Sequence, residues 1–323
     1  NKDHQPENIP ILTVYTYSSF QSFYGPGPEL VKAFESTCGC KVNLVNAGDA
    51  GLILQRLKLS QDEEIDVVVG LDQFTKIDAL GIAQWKPLNM QPVEWAKNFS
   101  FQPQEKTPRF VPYNWSPMTF IYRNHESMDK PSSFEDLVKS VYKKKISLED
   151  PRMSTPGMQF LFWLVVHFGE NDAFDYYARL IKNESNVSPS WSSAYGMFTQ
   201  GKANLVFSYF TSAVYHWTKE KDFTYQPLLL ENVKYPVQVE YAAVPERCKH
   251  CTLANDFVNF LLSEPSQKII MNKNIMLPVI AGVTQGSGFD QLNYGETMSQ
   301  QDYEKIAPKK KELIERWSGL IRK

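Results

Sequence analysis

Residues 11–82 alternate between two hydrophobic periods, and that alternation limits the possible folds more than any other feature of the chain. Residues 11–17 (ILTVYTY), 41–45 (KVNLV) and 66–70 (DVVVG) are short runs rich in β-branched and aromatic residues, the pattern of strands. Between them, the run that opens at Pro28 carries Leu30, Val31 and Phe34 at helical spacing. Residues 49–59 follow a candidate N-cap at Asp49, and residues 71–82 form the next helix. The third strand is apolar through its middle, as in a strand buried on both faces. Strands alternating with helices at this spacing predict parallel βαβ units.

The pattern fades over residues 89–109, which hold several prolines, and returns as an extended run at 110–122 (FVPYNWSPMTFIY). A second α/β series follows. Strands are expected at 145–148 and 203–209, and helices at 132–137, 159–168, 173–181, 188–200 and 213–220. Residues 237–244 (VQVEYAAV) alternate like a strand and carry the chain back, and helices at 252–262, 265–271 and 300–321 close it. At 323 residues the chain exceeds the size at which one core usually keeps growing. The expected architecture is a two-lobed α/β protein with a ligand cleft at the hinge. Residues 1–112 plus 249–323 form one lobe and residues 113–248 the other, with the crossing near 111–113.

Several function classes are disfavoured. A net charge of -2 provides no global basic field for nucleic acid or an anionic membrane. No apolar run approaches the roughly 20 residues that span a bilayer. The first ten residues (NKDHQPENIP) read as a polar tail, and no signal segment is visible, as in a mature secreted chain or a cytosolic one. The cysteines form two close pairs, Cys38 with Cys40 and Cys248 with Cys251. Local disulfides in an oxidising compartment rank ahead of redox or metal use, although four cysteines allow three connectivities. There is no GxSxG elbow, HExxH, P-loop or GxGxxG. His4 falls in the tail and His125 in a charged turn. His167 reads as core and His250 as exposed, and His216, near the expected site, reads as a structural hydrogen-bonder rather than a base. No catalytic or metal-ligating set is expected.

Three segments carry the binding chemistry. DPRMSTPG (150–157) follows a strand and opens a helix, with Ser154 or Thr155 as N-cap and Pro156 in the first turn. SYFTSAVYH (208–216) repeats the arrangement, with Thr211 and Ser212 as the cap. WSSAYGMF (191–198) adds aromatic faces. Free amides at a helix start attract anions and hydroxyl groups, and ligands in open α/β sheets bind beyond the carboxyl ends of strands. The first-half strand ends add Tyr17, the Tyr24 loop, Asp49 and Asp72, so carboxylates and aromatic faces suited to a cation stand opposite the helix openings.

Taken together, LTVYTYSSF, YGPGPELVKAFE, CGCKVNLV, DVVVGLDQ, DPRMSTPG, WSSAYGMF, GKANLVFSYFTSAVYH and NIMLPV resemble the periplasmic thiamine-binding proteins of bacterial ABC importers, in order over most of the chain. The resemblance implies a two-lobed, Venus-flytrap periplasmic-binding-protein fold (type II). The bound ligand would be thiamine or a thiamine phosphate, with no cofactor. Asp49, with Ala50 beside it, would pair with the cationic part. Ser154 and Thr155 would hold the polar or phosphate end. Trp191 would line the cleft, and Tyr209, Phe210, Thr211, Ser212 and Ala213 would add backbone and hydroxyl contacts beside Tyr215. Tyr17 and Tyr24 would lie in the first ligand-facing loop. The implied setting is a monomer in the periplasm that delivers to a membrane permease. Ala50 stands where the family usually has Gly, and Tyr24 and Ile275 stand where it has Trp. Loss of one stacking face weakens binding by about 1 kcal/mol or more.

Two other readings use the same architecture. A ferric-ion or phosphonate-type binder is one; its iron would need adjacent tyrosines such as Tyr176 and Tyr177, whose side chains diverge by about 100° on a helix. The other is a thiaminase-like enzyme, which would need a cysteine nucleophile in the cleft, whereas the cysteines here fall outside the ligand loops.

Overall fold

The computed structural model describes residues 8–124 and 129–322; His4 with the rest of the polar stretch 1–7, and His125, lie outside the described residues. The strands are β1 (Ile11–Thr16), β2 (Lys41–Asn46), β3 (Val67–Leu71), β4 (Phe110–Arg123), β5 (Ile146–Glu149), β6 (Asn186–Ser188), β7 (Leu205–Tyr209), β8 (Tyr225–Pro227), β9 (Val237–Ala243) and β10 (Leu277–Pro278). They lie in the order β2-β1-β3-β9-β4-β7-β5-β6, with β8 and β10 also paired to β4. β1 is parallel to β2 and β3, and β5 is parallel to β6 and β7, as the βαβ reading requires. Between these parallel sets run β9 and β4, antiparallel to each other.

β4 joins the two halves. Its residues 110–117 pair with β9 and residues 118–122 with β7, so the partner changes between Pro117 and Met118. β4 is buried along almost all of its 14 residues. A bulge interrupts its pairing with β9 between Pro112 and Asn114. Proline cannot donate to a ladder and is tolerated at such irregularities. The bulge leaves Tyr113 as the extra residue, and bulges re-aim side chains. Here the Tyr113 hydroxyl is aimed at Glu240 on β9, to which it donates at 2.8 Å.

Local chemistry sets the helix starts on the site side. Ser154 caps the helix Thr155–Phe168, its hydroxyl accepting from the Gly157 amide at 3.4 Å, with Pro156 in the first turn. A Cβ on Gly157 would stand 2.6 Å from the Glu149 carbonyl oxygen, so only glycine lets this helix start so close to the end of β5.

Other expectations change. Thr211 and Ser212 do not cap a helix; they lie inside Thr211–Lys219, whose N-cap is Phe210 without a side-chain cap bond. The single closing helix expected at 300–321 is Gln300–Ile306 and Lys310–Ile321 around the short turn Ala307–Lys309, because Pro308 cannot supply the amide that continuity needs. β6 and β8 are too short, at three residues each, to show a period in sequence. VQVEYAAV is a strand but is buried on both faces. His167 is exposed at the last turn of its helix, its ring against Phe134 and Phe168, and is not core. His250 is partly buried, its Nδ1 3.2 Å from the buried Asp66 carboxylate, rather than exposed. Cys38–Cys40 and Cys248–Cys251 are local disulfides.

Candidate functional site

Between the two halves lies a cavity of about 570 Å³, and both sets of strand ends reach it. That volume is within the range of small-molecule sites. The first half contributes through β1 and β2. Tyr17 follows β1, is buried, and accepts a hydrogen bond from the Asn274 side-chain amide at 2.9 Å. Tyr24 stands at the mouth on the same loop, 82% exposed, with its ring edge-on to Phe23 at 5.4 Å. Asp49 and Ala50 follow β2 and line the cavity. Asp49 occupies the N-cap position of the short turn Ala50–Leu52 but makes no side-chain cap bond, so its carboxylate is not consumed locally. Partial burial raises its pKa. Asp72 is not at the cavity. It is fully buried, and Oδ1 accepts from the amides of Phe74 and Thr75.

The second half supplies the helix opening and the aromatic wall. Ser154 and Thr155 line the cavity at the start of Thr155–Phe168. The turn before them is pinned by Asp150, whose carboxylate takes both Nε and Nη2 of Arg152. Trp191 opens the helix Trp191–Thr199. Its ring stacks on Tyr195 at 5.0 Å and is tilted against Tyr209 at 6.4 Å, and its indole N–H donates to Ser208 at 2.9 Å. Ser208 shares a further hydrogen bond with Ser212, 2.7 Å long, which also faces the cavity. Along the same wall the Tyr195 hydroxyl is 2.7 Å from His216 Nε2, while His216 Nδ1 is bonded to Glu220 and the ring stacks on Tyr225 at 3.6 Å; Tyr195, His216 and Glu220 all line the cavity. Burial holds the His216 pKa below its ordinary value despite Glu220. His216 is therefore a brace for the wall, in keeping with its reading as a hydrogen-bonder. Tyr215 is 43% exposed at the rim.

Asp49, Trp191 and Tyr209 thus share one cavity with Tyr17, Tyr24, Ala50, Ser154, Thr155, Ser212 and Tyr215. Phe210, Thr211 and Ala213 are fully buried behind the surface and do not line it. Sequence reasoning missed the floor. Gln238 and Glu240 of β9 both line the cavity; two apart on a strand, they share a face. The Gln238 side-chain amide donates to Thr155 Oγ1 at 3.3 Å and so ties the floor to the helix opening. Glu240 is only 6% exposed and receives the Tyr113 hydroxyl. The signal was present: VQVEYAAV has one acid in an otherwise apolar returning strand. Lys273, Asn274, Ile275 and Met276 complete the second rim.

Tyr176 and Tyr177 lie in Glu170–Lys182, both buried, with Tyr176 donating to the Phe134 carbonyl at 2.6 Å. Neither lines the cavity, and neither is at the surface. Among the described residues no group of three His, Cys, Asp or Glu side chains could hold a metal. No cysteine lines the cavity, and all four are in disulfides. No helix among the described residues is long and apolar enough to cross a membrane.

The profile of the family described as bacterial extracellular solute-binding protein matches residues 17–268. The chain is 34% identical over 313 residues to the thiamine-binding periplasmic protein of Escherichia coli, covering 97% of this chain and 94% of that one. A solved periplasmic thiamin-binding protein superposes with a TM-score of 0.87 at 32% identity, covering 97% of this chain and 96% of the other. The ferric-binding protein from Campylobacter jejuni shares the fold, with a TM-score of 0.75 at 19% identity over 96% of this chain and 99% of the other. Each of these relatives is described as a binding protein.

Proposed function

The chain belongs to the bacterial extracellular solute-binding protein family, and from that premise we propose that it captures thiamine or a thiamine phosphate in the periplasm, as a monomer, and hands it to the permease of an ABC importer. One observation carries this reading: a single cavity joins stacked aromatic faces, three acids and a helix opening. A thiazolium is flat and permanently charged. Trp191 and Tyr209 present rings to it, and Asp49 presents a carboxylate. The hydroxyl or phosphate tail suits Ser154, Thr155 and the first amides of Thr155–Phe168. The moving bodies are the two halves joined through β4 and β9, and ligand held between them favours the closed form.

The protein binds without turnover. No cysteine faces the ligand, and His216 is occupied by Tyr195 and Glu220. The ferric reading loses its tyrosine pair, since Tyr176 and Tyr177 lie outside the cavity. Isothermal titration with thiamine and its mono- and diphosphate tests the proposal. Saturable binding with a stoichiometry of one supports it, and no heat at millimolar ligand overturns it. Incubation with thiamine and a nucleophilic base tests the absence of turnover; a pyrimidine–base adduct would overturn it.

A further inference from the structure

We propose that Glu240 is a second residue, beside Asp49, that reads the ligand's positive charge: it faces the cavity from the floor between the halves and gives up a proton when the cation arrives. This rests on the binding function above and assigns its charge selectivity to a residue outside the recognised motifs.

The position is central. Glu240 lies on β9 where that strand pairs with β4, so it belongs to the two strands that join the halves and meets ligand from beneath. Its surroundings are built for an acceptor. The Tyr113 hydroxyl donates to Oε2 at 2.8 Å. The Tyr17 hydroxyl, which accepts from Asn274, also stands near this carboxyl and acts on its charge. A carboxylate offers about four acceptor positions, so room remains on the cavity side.

The missing element is a counter-charge. The groups that face this carboxyl are Tyr17 from the end of β1, Tyr113 from β4, Tyr209 from β7 and the Asp72 carboxylate from beyond β3. Lys273 lines the same cavity, but no Lys, Arg or His among the described residues is bonded to this carboxyl or shifts its pKa. Burial, with a further push from Asp72 and against the two hydroxyls, raises its pKa to about 7. Near neutrality the empty site is therefore divided between Glu240–COOH and Glu240–COO⁻. A cation provides the absent charge: the carboxyl proton passes to the buffer and the carboxylate pairs with the ligand. Two other groups on the cavity differ from it. The pKa of His216 is pushed down, and Asp49 is raised by its own burial alone.

The test is thiamine titration from pH 6 to 8.5 in two buffers of different ionisation enthalpy, a range in which the thiazolium charge is constant. Wild-type affinity should rise by up to about tenfold per pH unit below the midpoint and level off above pH 8, with about half a proton released per ligand at pH 7. Glu240→Gln should flatten the profile, abolish the proton release and weaken binding at pH 8 by tenfold or more. Tyr113→Phe removes one donor but keeps the charge, and should move the midpoint to higher pH. Asp49→Asn should bind more weakly yet still release the proton. If Glu240→Gln does not fold, the wild-type profile and Tyr113→Phe decide. Thiamine binding with a pH-independent affinity, or proton release retained in Glu240→Gln, overturns the inference alone. Failure of the wild type to bind thiamine at any pH overturns both the inference and the function it rests on.

Discussion

Three acids line the cavity; Glu220 is taken up by His216, and what differs between Asp49 and Glu240 is their support. Asp49 sits at a turn and makes no cap bond, while Glu240 is held by the Tyr113 hydroxyl on a buried floor. Asp49→Asn removes a charge that no local bond requires. It should cost about 1.5–3 kcal/mol of cation affinity, read by titration calorimetry, with little change in melting temperature. Trp191→Ala removes the ring stacked on Tyr195 and should weaken ligand binding about tenfold in the same assay. Glu240 carries a stability consequence of opposite sign. Its pKa is raised from 4.5 to about 7 in the folded protein. Between those values the native state holds more protons than the unfolded chain, so its contribution to stability falls as pH rises through this window and is constant above it. Empty Glu240→Gln should therefore be more stable than wild type at pH 8, by up to about 3 kcal/mol, with the gain shrinking towards pH 4.5. Urea denaturation at both pH values checks this. Greater stability paired with weaker binding is the expected signature of a residue kept for function.

At the level of elements, the site depends on how closely a helix can start behind a strand. Gly157→Ala would force a Cβ against the carbonyl oxygens of Glu149 and Asp150, 2.6 and 2.8 Å away. Because these are backbone atoms, the helix opening must shift. The expected loss is about 1–3 kcal/mol in urea unfolding, with weaker binding of phosphorylated ligands. Much of this was legible locally. The cap at Ser154, the Pro in the first turn and the strand before them follow from residue types within a few positions of one another. Thr211 and Ser212 show the limit of such reading. They too look like caps, yet Thr211 is fully buried inside the helix and Ser212 bonds to Ser208. Tertiary burial outranked local propensity there. The pairing of the cysteines was ranked correctly from spacing alone, because residues two and three apart can reach one another in many backbone conformations.

For the whole molecule, the two halves also meet at the cavity rim. A Cβ on Gly51, after β2, would stand 2.3 Å from the carbonyl oxygen of Met153, after β5. Gly51→Ala should wedge the halves apart, lowering ligand affinity and enlarging the radius of gyration of the liganded protein in small-angle scattering. An unchanged liganded envelope would show that the rim contact does not limit closure. What the chain determined by itself is its periodic content: alternating strand and helix signals, helix openings rich in hydroxyls, and an aromatic segment at Trp191. Those features are local, and hydrophobic period and capping chemistry report them directly. The cavity floor was decided only in three dimensions. Tyr17, Tyr113, Glu240 and Asn274 are far apart in sequence and meet because β4 and β9 cross between the halves, with a bulge turning Tyr113 towards the acid. A carboxyl's environment depends on which distant groups desolvate it, and no stretch of neighbouring residues carries that information.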